Sequence, residues 1–306
     1  MSSERAASAS NAQRSSAPDP VLGYGKAFAS FGELIQGRLS TGDDLLITLP
    51  VDMWSACEVR CSRTDGPSIV RCALPKSRKL AERMLAQLGR QHGCDLEIEF
   101  TRDIPIGKGL SSSTADMLAV LRALQEIFGV IVTDGFVSRL FSRIEPHDAL
   151  HFYMSVAYNH REGTLLRKMY HIPQYRIVAV DAGGTIDTEA YNQQLVFTAD
   201  DTRRFDALYI EACEAFDHRD DAALARCARK ATELHLERSG RELLADALAL
   251  TDRCEALGTV TAHSGTCAGI LFSKCAPAAQ IERARAAVKE VTGLPTFVTQ
   301  TLEILY

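Results

Sequence analysis

No C-x-x-C pair occurs among the nine cysteines, which stand singly at Cys57, Cys61, Cys72, Cys94, Cys213, Cys227, Cys254, Cys267 and Cys275. Closely paired cysteines are what a structural zinc site uses, and an odd total does not close a disulfide framework. The thiols are therefore expected to be reduced, in a reducing compartment. No apolar run approaches the roughly 18 residues that a membrane-spanning helix needs. The stretch up to Pro20 is rich in Ser and Ala, lacks the apolar core of a secretory signal and reads as a disordered tail over 1–20. Neither sign of charge dominates: 34 basic residues face 39 acidic ones, and net −5 removes any bulk attraction to nucleic acid. Tryptophan is nearly absent, and the other aromatics are scattered without the basic interleaving that reads single strands. No internal repeat is visible, and no G-x-x-x-x-G-K-[ST] motif occurs, which disfavours the usual nucleotide-triphosphatase fold. A cytoplasmic protein with neither a nucleic-acid nor a membrane partner is the expectation.

What is present is ordinary globular material, 46% hydrophobic and 24% charged over 306 residues, enough for two domains or lobes. Residues 21–59 have β character, with strand-length runs at 45–49 and 53–59. Leu80, Met84, Leu85 and Leu88 form one stripe of a helix over 76–91. Leu96, Ile98 and Phe100 alternate with acidic residues, as in a half-buried strand. Met117, Val120, Leu121, Leu124, Ile127 and Phe128 recur at helical spacing, and Gly129 is placed to end that helix. In the second half, 177–180 reads as a buried strand and 201–257 as helical, with breaks near 217–221 and at Gly240. Strand and turn return over 259–273, Pro277 opens a helix over 278–291, and 297–305 closes the chain as a strand. The pattern is α+β in two lobes, 21–172 and 173–306.

The most informative stretch is Ile104-Pro105-Ile106-Gly107-Lys108-Gly109-Leu110-Ser111-Ser112-Ser113-Thr114-Ala115-Asp116. Two glycines allow a tight turn and close approach to a ligand. Four hydroxyl residues then meet the start of a strong helix, where the first N–H groups have no internal partner. A helix N-terminus favours an anion by about 0.3–1 kcal/mol when exposed and up to about 2 when partly buried. Lys108 adds a full charge. The stretch reads as an anion cradle with phosphate as its guest. An ordinary serine N-cap would explain one hydroxyl, not four beside a lysine.

This stretch resembles the phosphate-binding motif of the GHMP kinases. Other blocks occur in that family's order: Gly32-Glu33-Leu34-Ile35-Gln36-Gly37, Pro50-Val51-Asp52, Ile144-Glu145-Pro146-His147-Asp148 and Ala262-His263-Ser264-Gly265-Thr266. Within the family the likeness is strongest to the L-threonine kinases of cobalamin synthesis and propanediol utilisation. The chain departs from their pattern at Lys26–Phe31, which lacks an expected Pro, and at position 147, where Thr is expected. The resemblance implies a two-lobed fold, an N-terminal ribosomal-protein-S5-like lobe and a C-terminal ferredoxin-like lobe. It implies ATP and Mg²⁺, and transfer of a phosphoryl group to the side-chain hydroxyl of a small amino acid, L-threonine first. Homoserine, serine or another small alcohol is the alternative acceptor, and a non-catalytic ligand-sensing relative is the alternative class. A homodimer stays open.

The resemblance assigns the nucleotide to Pro105, Gly107, Lys108, Gly109, Leu110, Ser111, Ser112, Ser113 and Thr114. It assigns the metal to Ser112 or Ser113 with Glu145, and the base to Asp148 with Lys108 assisting, although the two carboxylates could exchange roles. Glu33, Asp52, Ser264, Gly265 and Thr266 are the candidate substrate contacts. Glu33 reads equally well as a buried structural carboxylate, Asp52 as the start of a strand, and His263 as a satisfied core histidine. Asp181-Ala182-Gly183-Gly184-Thr185 resembles the phosphate hairpin of the hexokinase/actin superfamily, but no second phosphate motif follows it. It is read as a strand-ending turn on the substrate side.

Overall fold

The computed structural model describes residues 19–184, 196–262 and 266–303. One sheet runs through both halves of the chain. Its strands are β1 (Val21–Arg38), β2 (Asp44–Pro67), β3 (Val70–Cys72), β4 (His92–Arg102), β5 (Val156–Asn159), β6 (Thr164–Lys168), β7 (Tyr175–Asp181), β8 (Gly258–Thr261), β9 (Cys267–Ser273) and β10 (Thr296–Gln300). The order is β10-β7-β9-β8-β1-β2-β4-β3, with the β5–β6 hairpin branching from β2. All pairings are antiparallel except β3 with β4. β8 meets β1 at one register position, Glu33 opposite Thr261. A second link between the halves is the bridge of Val51 with Thr301.

Seven α-helices are described: α1 (Pro75–Gln87), α2 (Ser112–Phe128), α3 (Asp134–Ser142), α4 (Ala199–Asp217), α5 (Asp221–Ser239), α6 (Glu242–Arg253) and α7 (Ala278–Thr292). Their ends follow local chemistry. Gly129 closes α2 and Gly240 closes α5, both left-handed. Asp220 accepts from the Ala223 N–H at the start of α5, and Thr198 forms a reciprocal capping box with Asp201 at α4. The long helical region thus breaks near 217–221 and at Gly240, as its sequence indicates. β2, by contrast, is one strand where two were expected. Leu45–Leu49 and Met53–Val59 are joined through Pro50, beside a register shift in the β1–β2 ladder. α3 and the β5–β6 hairpin were not anticipated.

The main core gathers side chains from Ala27 to Leu302, so both halves contribute to it. A second cluster lies where α6 and α7 cover β7 and β9, with Val178, Val180, Leu244, Ile270 and Phe272 at its centre. α2 lies close on β1 because Gly25 has no side chain; a Cβ there would run into the Ala119 carbonyl. Gly25→Ala is therefore expected to cost about 1–3 kcal/mol, read as a lower urea midpoint at unchanged slope. Asp116 fixes the same helix from inside. It accepts from Ser55 Oγ at 2.6 Å and from Arg102 at 2.9 Å, joining the first turns of α2 to β2 and β4. Burial pushes its pKa up, while Ser55 and Arg102 oppose the rise. Among the described residues no helix is long and apolar enough to cross a membrane.

Candidate active site

The 104–111 loop delivers α2's first turn to a cluster of hydroxyls and carboxylates. Gly107 and Gly109 take φ of 71° and 76°, a region that side-chain-bearing residues avoid. Ser111, at the N-cap, is also left-handed at φ 59° and its hydroxyl does not cap the helix. That hydroxyl instead meets Ser30 Oγ of β1 in a short hydrogen bond. The first N–H groups of α2 therefore keep their donor capacity for an external acceptor. An uncapped helix start, a lysine in the loop and neighbouring hydroxyls fit the phosphates of a nucleotide.

The segment after α3 brings two carboxylates to this helix start. Ser113 Oγ donates to Glu145 Oε1, and Lys76, at the N-terminus of α1, pairs with the other Glu145 oxygen. Ser113 and Glu145 offer hard oxygens of the kind Mg²⁺ takes alongside phosphate oxygens. Ser112 opens the helix between Ser111 and Ser113, and Thr114 is buried behind it. Asp148 caps nothing: the 3₁₀ turn Leu150–Phe152 has Ala149 at its N-cap. Its carboxyl is raised above the usual range chiefly by burial, with the Glu145 charge adding, while a hydrogen bond from Ser111 lowers it.

Glu33 stands opposite on β1, 3% exposed. Among the described residues, no hydrogen bond of ordinary length and angle reaches either of its oxygens. Asp148 is near enough to act on it both as a charge and as a hydrogen-bonding group. Burial first, and then Asp148, hold the Glu33 carboxyl well above the ordinary range. Two carboxyls in such a setting share protons rather than both ionising.

His147, which replaces the expected Thr, is an architectural residue. Its Nδ1 lies 3.0 Å from the Asp148 carbonyl and its Nε2 lies 3.1 Å from Tyr158 Oη, consistent with Nδ1–H donating and Nε2 accepting. Burial lowers its pKa to about 4. His151 packs beside it, bonds Ser138 Oγ at 3.0 Å, and is lowered to about 3 by burial and by His147. The Asp148 backbone is thus pinned by a neutral imidazole.

Lys108 turns away from the carboxylates just described. Its Nζ lies 2.8 Å from Asp181 Oδ2 and 2.9 Å from the Gly184 carbonyl, both at the end of β7. Thr266 Oγ1 and the Gly183 N–H hold the other Asp181 oxygen at 2.5 and 2.9 Å. Burial alone would raise the Asp181 pKa, but the hydrogen bonds from Lys108, Thr266 and Gly183 outweigh it and hold the group below its ordinary value.

The candidate residues thus divide. Ser111, Ser113, Glu145, Asp148 and Glu33 come together, and Lys108 and Thr266 meet through Asp181. Asp52 joins neither group: it is exposed on β2, takes the Trp54 indole N–H at 2.6 Å and faces Gln300. Ser264 and Gly265, with His263, lie outside the described residues, as does Thr185. Ser30 and Lys76 were not singled out for this site in the sequence, and Asp181 only as the head of the turn read onto the substrate side. Only Lys76 carries a local signal, since a lysine in a helix's first turn opposes the macrodipole and so suggests a partner elsewhere.

Comparisons with known proteins bear on the family and the fold. Residues 77–155 match the family described as GHMP kinases N terminal domain. The fold superimposes on a homoserine kinase from Cytophaga hutchinsonii with a TM-score of 0.69 at 17% identity, covering 92% of this chain and 95% of that one. The chain therefore contains a stretch that matches the GHMP kinase N-terminal domain and has the α+β fold of the GHMP kinase structures. Its curated relatives include the L-threonine kinase of Salmonella typhimurium, 27% identical over 80% of this chain and 81% of that protein. The L-threonine kinase of Citrobacter freundii is 28% identical over 80% of this chain and 85% of its own length.

Proposed function

We propose that the protein transfers the terminal phosphoryl group of ATP to the side-chain hydroxyl of a small amino acid, L-threonine before homoserine or serine. The observation that carries this reading is the convergence of Ser111, Ser113, Glu145 and Asp148 at the uncapped start of α2. Phosphoryl transfer passes through a loose transition state, so positioning and charge neutralisation do most of the work. The loop 105–114, with its backbone N–H groups and hydroxyls, holds the phosphates in this reading. Ser113 and Glu145 would hold Mg²⁺, which when bound would neutralise phosphate charge. Lys76, paired with the other Glu145 oxygen, holds that carboxylate in place.

Asp148 takes the acceptor's proton. Burial raises its pKa and so makes it a better proton acceptor than an exposed carboxylate; the Ser111 hydroxyl bonds its carboxyl, and His147 holds its backbone carbonyl. Glu33, beside it, stores a proton rather than adding a second negative charge. Residues 21–172 then form the ATP-binding lobe and 173–306 the lobe that closes on the acceptor. Identity over most of their length with two L-threonine kinases supports the acceptor class.

The test is ADP release, coupled to a spectrophotometric readout, against L-threonine, L-homoserine, L-serine and simple alcohols. Turnover fastest with L-threonine is the expected result. Turnover with none of the amino acids would remove the reading, and nucleotide binding without any ADP release would turn it towards a ligand sensor.

A further inference from the structure

We propose that Asp181 reads the α-ammonium group of the acceptor amino acid, and that Lys108 occupies its carboxylate only until nucleotide phosphates draw the lysine away. The inference rests on the acceptor being an amino acid.

The first support is the shape of the seat. A primary ammonium is already in it: Lys108 Nζ is held by one carboxylate oxygen at 2.8 Å and one backbone carbonyl, of Gly184, at 2.9 Å. Those two acceptors would hold the R–NH₃⁺ of an amino acid equally well. The seat is also built from behind. Thr266 and the Gly183 N–H occupy Oδ1, and the Ala182 N–H donates to the Thr266 carbonyl at 2.9 Å. Oδ2 is thereby left aimed at the cation.

The second support is position. Lys108 and Ser111 lie three residues apart on one loop, and they reach opposite partners, Asp181 on β7 and Ser30 on β1. The α-ammonium of threonine sits on the carbon next to the one bearing the hydroxyl. Asp181 borders the phosphate loop through Lys108, the placement that a reader of this ammonium requires. Asp52, the β2 carboxylate among the candidate substrate contacts, is exposed and engaged by Trp54.

The third support is charge. Both partners of the Lys108–Asp181 pair are 18% exposed, so removing one partner alone leaves a poorly solvated charge. Nucleotide alone would take Lys108 and strand Asp181; amino acid alone would find its seat filled. With both bound, Lys108 faces phosphate and Asp181 faces ammonium, so neither member of the pair is left alone. The two ligands must therefore bind with positive coupling, typically about 5–150-fold.

Two measurements on the full chain test this. Calorimetric titration of L-threonine should show binding tightened about fivefold or more by the β,γ-imido analogue of ATP. In Asp181→Asn that coupling should vanish, with the KM for ATP no higher than in wild type. The preference for L-threonine over 3-hydroxybutyrate, which lacks the amino group, should also fall by about tenfold or more. Equal loss on both acceptors, or an unchanged preference, would overturn the assignment while leaving the kinase reading intact. A wild-type enzyme that phosphorylates no hydroxy amino acid would remove both.

Discussion

Asp148→Asn is expected to lower kcat by about 10²–10⁴-fold, the usual contribution of a positioned general base, while the KM for ATP changes little. The substitution keeps the size of the side chain and its capacity to accept from Ser111, but removes the group that takes the proton. It also removes one of two neighbouring carboxyls, so the Glu33 pKa should fall towards its ordinary value. Full activity in the variant would mean that the base lies elsewhere, with Glu145 the next carboxylate to replace. Unchanged thermal unfolding would separate loss of chemistry from loss of fold.

The second large effect concerns acid. His147, His151 and His160 are buried with pKa values lowered to about 4, about 3 and about 3, burial being the main cause in each. An unfolded histidine titrates near 6.5, so below that pH the unfolded chain binds protons that the folded one refuses. Stability is then complete above about pH 6.5 and falls as the pH drops towards the folded values. For one such histidine the loss at pH 5 is about 2 kcal/mol. The three rings perturb one another, so their effects will not simply add. Urea unfolding at pH 7 and pH 5 should show a midpoint that drops by several tenths of a molar or more. A midpoint unchanged between those pH values would mean that the imidazoles are not held neutral in the folded protein.

Much of the fold was legible because local chemistry and tertiary structure agree. Gly129, Gly240 and the 217–221 break end helices where a left-handed residue or an aspartate cap requires it. The phosphate loop was legible for the same reason, since its glycines, hydroxyls and lysine are contiguous. Pro50 misled because proline usually interrupts a ladder, yet here β2 continues past it beside a register shift. α3 has only nine residues and the strands of the β5–β6 hairpin four and five, too few to show a period. The carboxylate pair Glu33–Asp148, the Lys76–Glu145 contact and the Lys108–Asp181 pair join residues from distant parts of the chain. No local pattern announces such meetings; the sheet order creates them.

That sheet order also bears on how the protein can be taken apart. Among the described residues β1 and β8 share a single register position and Val51 bridges Thr301, so little of the backbone ladder spans the seam. The buried side chains on either side nevertheless belong to one apolar mass running from Ala27 to Leu302. The two halves are therefore held together by side-chain packing more than by the backbone ladder. A polypeptide cut at its middle would yield two fragments that each bare half of a shared interior.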